Sequence, residues 1–117
     1  MYRIPILLFA IAAVAGLTMA VMHFRNATPP RPVLAILHGL FAASGLVVLL
    51  LALLKVGLSG TPGIALGLLV VAALGGFVLL SYHMRGQRLP SGLLVGHALL
   101  AVAGFVTLLA AEYVLMT

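Results

Sequence analysis

Four histidines are the residues of this chain best suited to chemistry, and they are not scattered. His23 and His83 stand sixty positions apart, and each opens a His-x-Arg triplet: His23-Phe24-Arg25 and His83-Met84-Arg85. His38 and His97 stand fifty-nine positions apart. Both begin the frame His-x-Leu-x-Ala-x-x-Gly-x-Val-x-Leu-Leu-x-Ala. Neutral imidazole is the commonest protein ligand for metals and the side chain that titrates nearest neutral pH. Two matched pairs in a chain that is 65% hydrophobic and 6% charged read as a ligand set. Other chemistry is thin. Glu112 is the single acid, so no pair of carboxylates can share acid–base work. The five methionines form no thioether motif for copper.

The elements that position these histidines are read from the repeat and from the apolar runs. Besides the histidines, Ile4 matches Ile64, Leu8 matches Leu68, Ala12-Ala13 matches Ala72-Ala73, Gly16 matches Gly76 and Arg25 matches Arg85. Crossing a bilayer takes roughly 20 apolar residues. Four segments reach that length, at about 4–22, 33–54, 64–82 and 93–116, and the mean hydropathy of the chain is +1.37. Breaks rich in Gly and Pro separate them: 25–32, 55–63 and 85–90. The expected fold is therefore all-α. It is an integral membrane four-helix bundle built from two parallel two-helix repeats, 4–55 and 64–114, within one transmembrane domain covering 1–117. The first segment, with Arg3 before it, has some features of a secretory signal. Its match to the third segment, which cannot be a signal, argues that it is retained.

Charge gives orientation. Arg25, Arg31, Arg85 and Arg88 lie in the first and third breaks, while only Arg3 and Lys55 lie on the other side. The excess of Arg and Lys on cytoplasmic loops then places 23–32 and 83–90 in the cytoplasm and both termini outside. A bacterial inner membrane is the expected location. The net charge of +5 is a topology signal of this kind. Without any basic surface beyond these short loops, it does not argue for nucleic acid.

Depth follows from the helical rise of about 1.5 Å per residue. His23 and His83 fall at one rim. His38, His97, Gly16 and Gly76 fall together, about 10 Å inside that rim. On the faces of His38 and His97 lie Ala42 and Gly45, and Ala101 and Gly104. Small residues beside intramembrane imidazoles leave a slot for something flat, and haem is the flat ligand that takes axial imidazole. Cysteine is absent, which excludes covalent c-type haem, iron–sulfur clusters and disulfides within the chain.

This arrangement resembles the four-helix membrane cytochromes b. The likeness lies in the layout of His and Gly rather than in a long signature. It implies His38 and His97 as axial ligands of haem b, with Gly16, Gly76, Gly45 and Gly104 giving the porphyrin clearance. Arg25 and Arg85 would then hold the anionic propionates through charge-assisted hydrogen bonds. His23 and His83 would either line the haem rim or ligate a second haem, so one haem is expected and two are allowed. All four histidines lie toward one face, whereas many members of that class carry histidines near both. The implied function is single-electron transfer, with a quinone or a redox partner protein, rather than stand-alone catalysis.

Two other functions compete with this one. Imidazoles near one face could handle copper or zinc ions. The chain could also be a small structural or pigment-binding subunit of a larger membrane complex. Homo-oligomers fit any of these. Plainer roles exist too: a membrane histidine can simply bond a neighbouring helix, and Gly92-xxx-Gly96 can simply pack helices closely. Tyr2, Tyr82 and Tyr113 are expected at the membrane interfaces, and Glu112 is expected to reach the headgroups.

Overall fold

The computed structural model describes residues 1–25 and 32–116. It contains four helices: α1 (Arg3–Phe24), α2 (Pro32–Val56), α3 (Thr61–Met84) and α4 (Ser91–Met116). Each is long and apolar enough to cross a membrane, with mean hydropathy over the best window between 2.3 and 2.6. Each expected span lies inside one of these helices, whose ends reach at most three residues beyond it. No strand occurs among the described residues.

The ends of the helices follow from local chemistry. Pro62 stands in the first turn of α3, where a missing N–H costs nothing. Gly57 (φ 101°) and Gly60 (φ 86°) turn the chain between α2 and α3 in a backbone region that side chains with a Cβ avoid. Gly86 (φ 67°) closes α3: its N–H donates to the His83 carbonyl, and the Gln87 N–H donates to the Tyr82 carbonyl. That pair of bonds satisfies carbonyls that would otherwise be orphaned at the helix end. Arg31, one of the loop cations named above, lies outside the described residues.

The bundle measures 44 × 22 × 21 Å. α1 packs mainly against α2, and α3 mainly against α4. The seams between α2 and α3 and between α1 and α4 are thinner. Apolar side chains cover the outside as well as the inside, as expected for helices solvated by lipid.

The core is confined to one end. Leu49 and Leu53 from α2, Ala65 from α3 and Leu108 from α4 are fully enclosed there, with Tyr2, Phe9, Leu69 and Ala111 around them. Two glycines let this end close. A Cβ on Gly45 would come within 2.9 Å of the Phe9 ring, and one on Gly104 within 2.7 Å of Leu69 Cγ. Phe9 and Leu69 are sixty positions apart, so the two knob-on-glycine contacts fall at matched places in the sequence.

Glu112 sits at the same end and turns inward instead of outward to the headgroups. It is 7% exposed, accepts the Tyr2 N–H at 2.9 Å and takes the Met1 ammonium at 3.1 Å. The first N–H groups of a helix have no partner within it, and its N-terminus favours negative charge. The carboxylate meets both needs of α1. Tyr2 is likewise 3% exposed and packs into the core at this end.

Candidate functional site

The other end of the bundle holds the histidines, and it is open. Among the described residues beyond the level of Ala12 and Ala72, toward His23 and His83, only Leu79 is buried. α2 brings in His38 and α4 brings in His97, each half-buried. Their ring centroids lie 6.1 Å apart and their planes are inclined by 83°. They meet across the diagonal between two helices whose backbones make no close approach.

Each imidazole is held in the same way. His38 Nδ1 lies 2.7 Å from the Ala12 carbonyl of α1, and His97 Nδ1 lies 2.7 Å from the Ala72 carbonyl of α3. A carbonyl can only accept, so in both rings Nδ1 carries the proton and donates it. In the neutral ring Nε2 then keeps its lone pair. No hydrogen bond reaches either Nε2 among the described residues.

Gly16 and Gly76 make these bonds reachable. Each lies four residues beyond the acceptor on its own helix, directly beneath the partner imidazole. A Cβ on Gly16 would come within 2.9 Å of His38 Cε1, and one on Gly76 within 3.1 Å of His97 Cε1. The space these glycines leave is thus filled by the histidine rings themselves. The space at Gly45 and Gly104 is filled by Phe9 and Leu69, in the closed half of the bundle.

The rim is less symmetric. His23 Nε2 lies 3.1 Å from Ser91 Oγ, which ties the end of α1 to the start of α4, and its ring meets Phe24 edge to face at 5.0 Å. The residue matched to Ser91 in the first half of the chain is Pro32, which has no hydroxyl. Among the described residues the His83 ring has no hydrogen-bond partner. Arg85 lies over the Tyr82 ring at 4.8 Å and donates to the Ser81 carbonyl at 3.1 Å. Arg25 follows the last residue of α1, its side chain exposed.

Three parts of this site are not identified by the sequence reading. The Ala12 and Ala72 acceptors are backbone atoms, and Ser91 has no counterpart in the first half to draw attention to it. The alanines do stand four residues before Gly16 and Gly76, and that spacing is the available hint.

Two imidazoles, each with one ring nitrogen bonded and the other left over, are a donor pair of the kind that a haem iron or another metal takes. An imidazole nitrogen sits about 2.0–2.1 Å from a bound metal, so two imidazoles on opposite sides of one ion bring their ring centres to roughly 6 Å. Ligating histidines characteristically donate their other N–H to a carbonyl or carboxylate, which fixes the tautomer and raises the basicity of the ligating nitrogen. Both imidazoles have this second partner in place. The two rings are inclined edge to face, an arrangement that aromatic pairs also adopt at this spacing. Among the described residues no three His, Cys, Asp or Glu side chains gather into a metal site.

Compared with known protein families, curated proteins and solved structures, the chain matches none.

Proposed function

We propose that the chain is a small b-type cytochrome of a membrane, in which His38 and His97 hold one haem and pass single electrons. What carries this reading is the paired geometry: two imidazoles 6.1 Å apart, each with Nδ1 committed to a helix carbonyl and Nε2 left over. Haem supplies four nitrogens of its own, so two axial imidazoles complete its set. A zinc site built from protein alone takes three or four ligands, and a third is not assembled here among the described residues.

The group, when bound, supplies a reversible one-electron couple. The residues of the chain do the rest. The Ala12 and Ala72 carbonyls orient the two rings and keep their tautomer. The burial of the pair between helices lowers the local dielectric, one of the levers on a haem potential. Arg25 and Arg85 stand at the nearer rim, where anionic propionates would lie. His23 is already engaged with Ser91, which supports one haem over two. The chain is read as a duplicated helical hairpin in a bacterial inner membrane. The loops at 23–32 and 83–90 face the cytoplasm, and electrons pass between a membrane quinol pool or a redox partner protein and an acceptor near that face.

A reduced-minus-oxidised absorption spectrum of the detergent-purified protein tests this, together with pyridine haemochrome quantification. The expected result is a sharp low-spin b-type α-band at one haem per chain. Two haems per chain would bring His23 and His83 in as ligands. Colourless protein from haem-sufficient cells would overturn the proposal and leave a metal-handling or structural bundle.

A further inference from the structure

The histidine bonds follow the division of the chain into hairpins. His38 of α2 is bonded to Ala12 of α1, and His97 of α4 to Ala72 of α3. The stronger helix seams follow the same division, α1 with α2 and α3 with α4. Each hairpin therefore carries one imidazole already set by its own carbonyl and seated over its own glycine. Between the hairpins the two rings touch edge to face.

The hairpins are joined unequally at their two ends. The chain passes from one to the other once, through residues 57–60, and that crossing lies at the Glu112 end. Leu49 and Leu53 of one hairpin pack there with Ala65 and Leu108 of the other. Glu112 of α4 also accepts the Tyr2 N–H at the start of α1. At the histidine end the connections 25–31 and 85–90 each stay within a hairpin. There the exposed bond between His23 Nε2 and Ser91 Oγ spans from α1 to α4, across the thinner of the two seams that join the hairpins. The pair matched to it in the α2–α3 seam is His83 and Pro32, and proline offers no hydroxyl.

Resting on the haem reading above, we infer that the two hairpins act as tongs: they pivot about the Glu112 end and part at the histidine end, His23 and Ser91 form the latch across the mouth, and a planar tetrapyrrole enters between the parted hairpins. Parting the mouth leaves both carbonyl bonds intact, because each lies within one hairpin. It breaks one exposed hydrogen bond, and lipid tails replace the apolar contacts at little cost. Gly57 and Gly60 in the crossing take backbone angles closed to other residues and can absorb the change of angle. The ring centres already stand at the spacing of a ligated pair. Closure on a flat macrocycle thus restores the arrangement seen here.

The test uses the full-length apoprotein in lipid nanodiscs, and the absence of native cysteine lets thiols be placed at will. Nitroxides at Phe24→Cys and Gly92→Cys report across the mouth. Nitroxides at Ile4→Cys and Tyr113→Cys report across the same two helices at the Glu112 end. The mouth pair is expected to give a broad distance distribution that narrows when hemin is added, and the other pair a narrow one throughout. For kinetics, a short bis-maleimide joins the thiols of the double variant His23→Cys, Ser91→Cys. The same variant with each thiol capped by N-ethylmaleimide is the control. Joining should slow hemin uptake, followed by the Soret band, by about tenfold, or roughly 1.4 kcal/mol of added barrier. Ser91→Ala should speed it by about twofold, the low end of what one hydrogen bond is worth. Circular dichroism establishes that each sample is folded. Equally narrow distributions at both ends overturn the inference, and so does equal uptake by joined and capped protein; both leave bis-histidine haem standing. A wild-type chain that takes up no hemin overturns the haem reading and the entry route with it, while the nitroxide distances still decide whether the hairpins part.

Discussion

The two ends of this bundle are built from the same four helices, yet they pack differently. At the Glu112 end, leucine meets leucine, Phe9 and Leu69 drop onto glycines, and a carboxylate ties the start of α1 to the end of α4. At the histidine end, the glycines beneath the rings receive imidazoles instead, and among the described residues only Leu79 is buried beyond their level. Lipid tails are as apolar as leucine, so membrane helices gain little from burying hydrocarbon and associate through close packing and hydrogen bonds. The closed end uses mostly the first of these and the open end mostly the second. A bundle clamped at one end can leave the other loose enough to accept a ligand.

The largest effect should come from breaking the clamp. Leu108 has no exposed surface, and Leu108→Ala should cost about 2–5 kcal/mol, the range for a leucine removed from a closed core. Leu100→Ala, in the open half and only partly buried, should cost clearly less. Unfolding of both variants in the same detergent checks this, and equal costs would erase the contrast between the ends.

A smaller effect is expected where glycine supports a histidine. Gly16→Ala puts a Cβ within 2.9 Å of His38 Cε1, so the ring must shift and its bond to Ala12 must weaken. One such bond is worth about 0.5–1.5 kcal/mol, and the haem spectrum should change along with stability. Gly76→Ala should do the same to His97 more mildly, since its contact is 3.1 Å. A spectrum unmoved by either substitution would separate the glycines from the ligand geometry.

The smallest effect belongs to the rim. Ser91→Ala removes the partner of His23 at an exposed position, and should lower stability by less than about 1 kcal/mol with the low-spin band intact. Loss of haem in that variant would promote His23 from a rim residue to a ligand.

Much of this architecture could be read from the letters. Helix spans were legible because Gly and Pro interrupt otherwise continuous apolar runs, and each helix ends within a few residues of the expected limit. The meeting of His38 and His97 was legible because rise per residue sets depth, and depth needs no side-chain detail. The uses of glycine were not legible. Gly16 and Gly45 look alike in sequence as small residues on a helix face, but one lies under an imidazole and the other under Phe9. Which neighbour fills a gap depends on the rotation of two helices about their axes, and a nearly all-apolar helix gives no periodic pattern from which to read that rotation. Glu112 misled for a related reason. Near a helix end a carboxylate can turn either way, and the N–H groups that draw it inward belong to a helix more than a hundred residues away in sequence.

The bonds from His38 and His97 go to main-chain carbonyls, and this bears on how such a site drifts. Substitution at Ala12 or Ala72 changes a side chain but cannot delete the acceptor. The orientation of each ring is therefore encoded in helix phase and in one permissive glycine, not in a partner residue. Generations of neutral exchange among Leu, Val, Ile and Ala could rewrite most of the chain and leave the pair in place. A lineage built this way would be traced by four spaced letters, His38 with Gly16 and His97 with Gly76, far better than by overall resemblance.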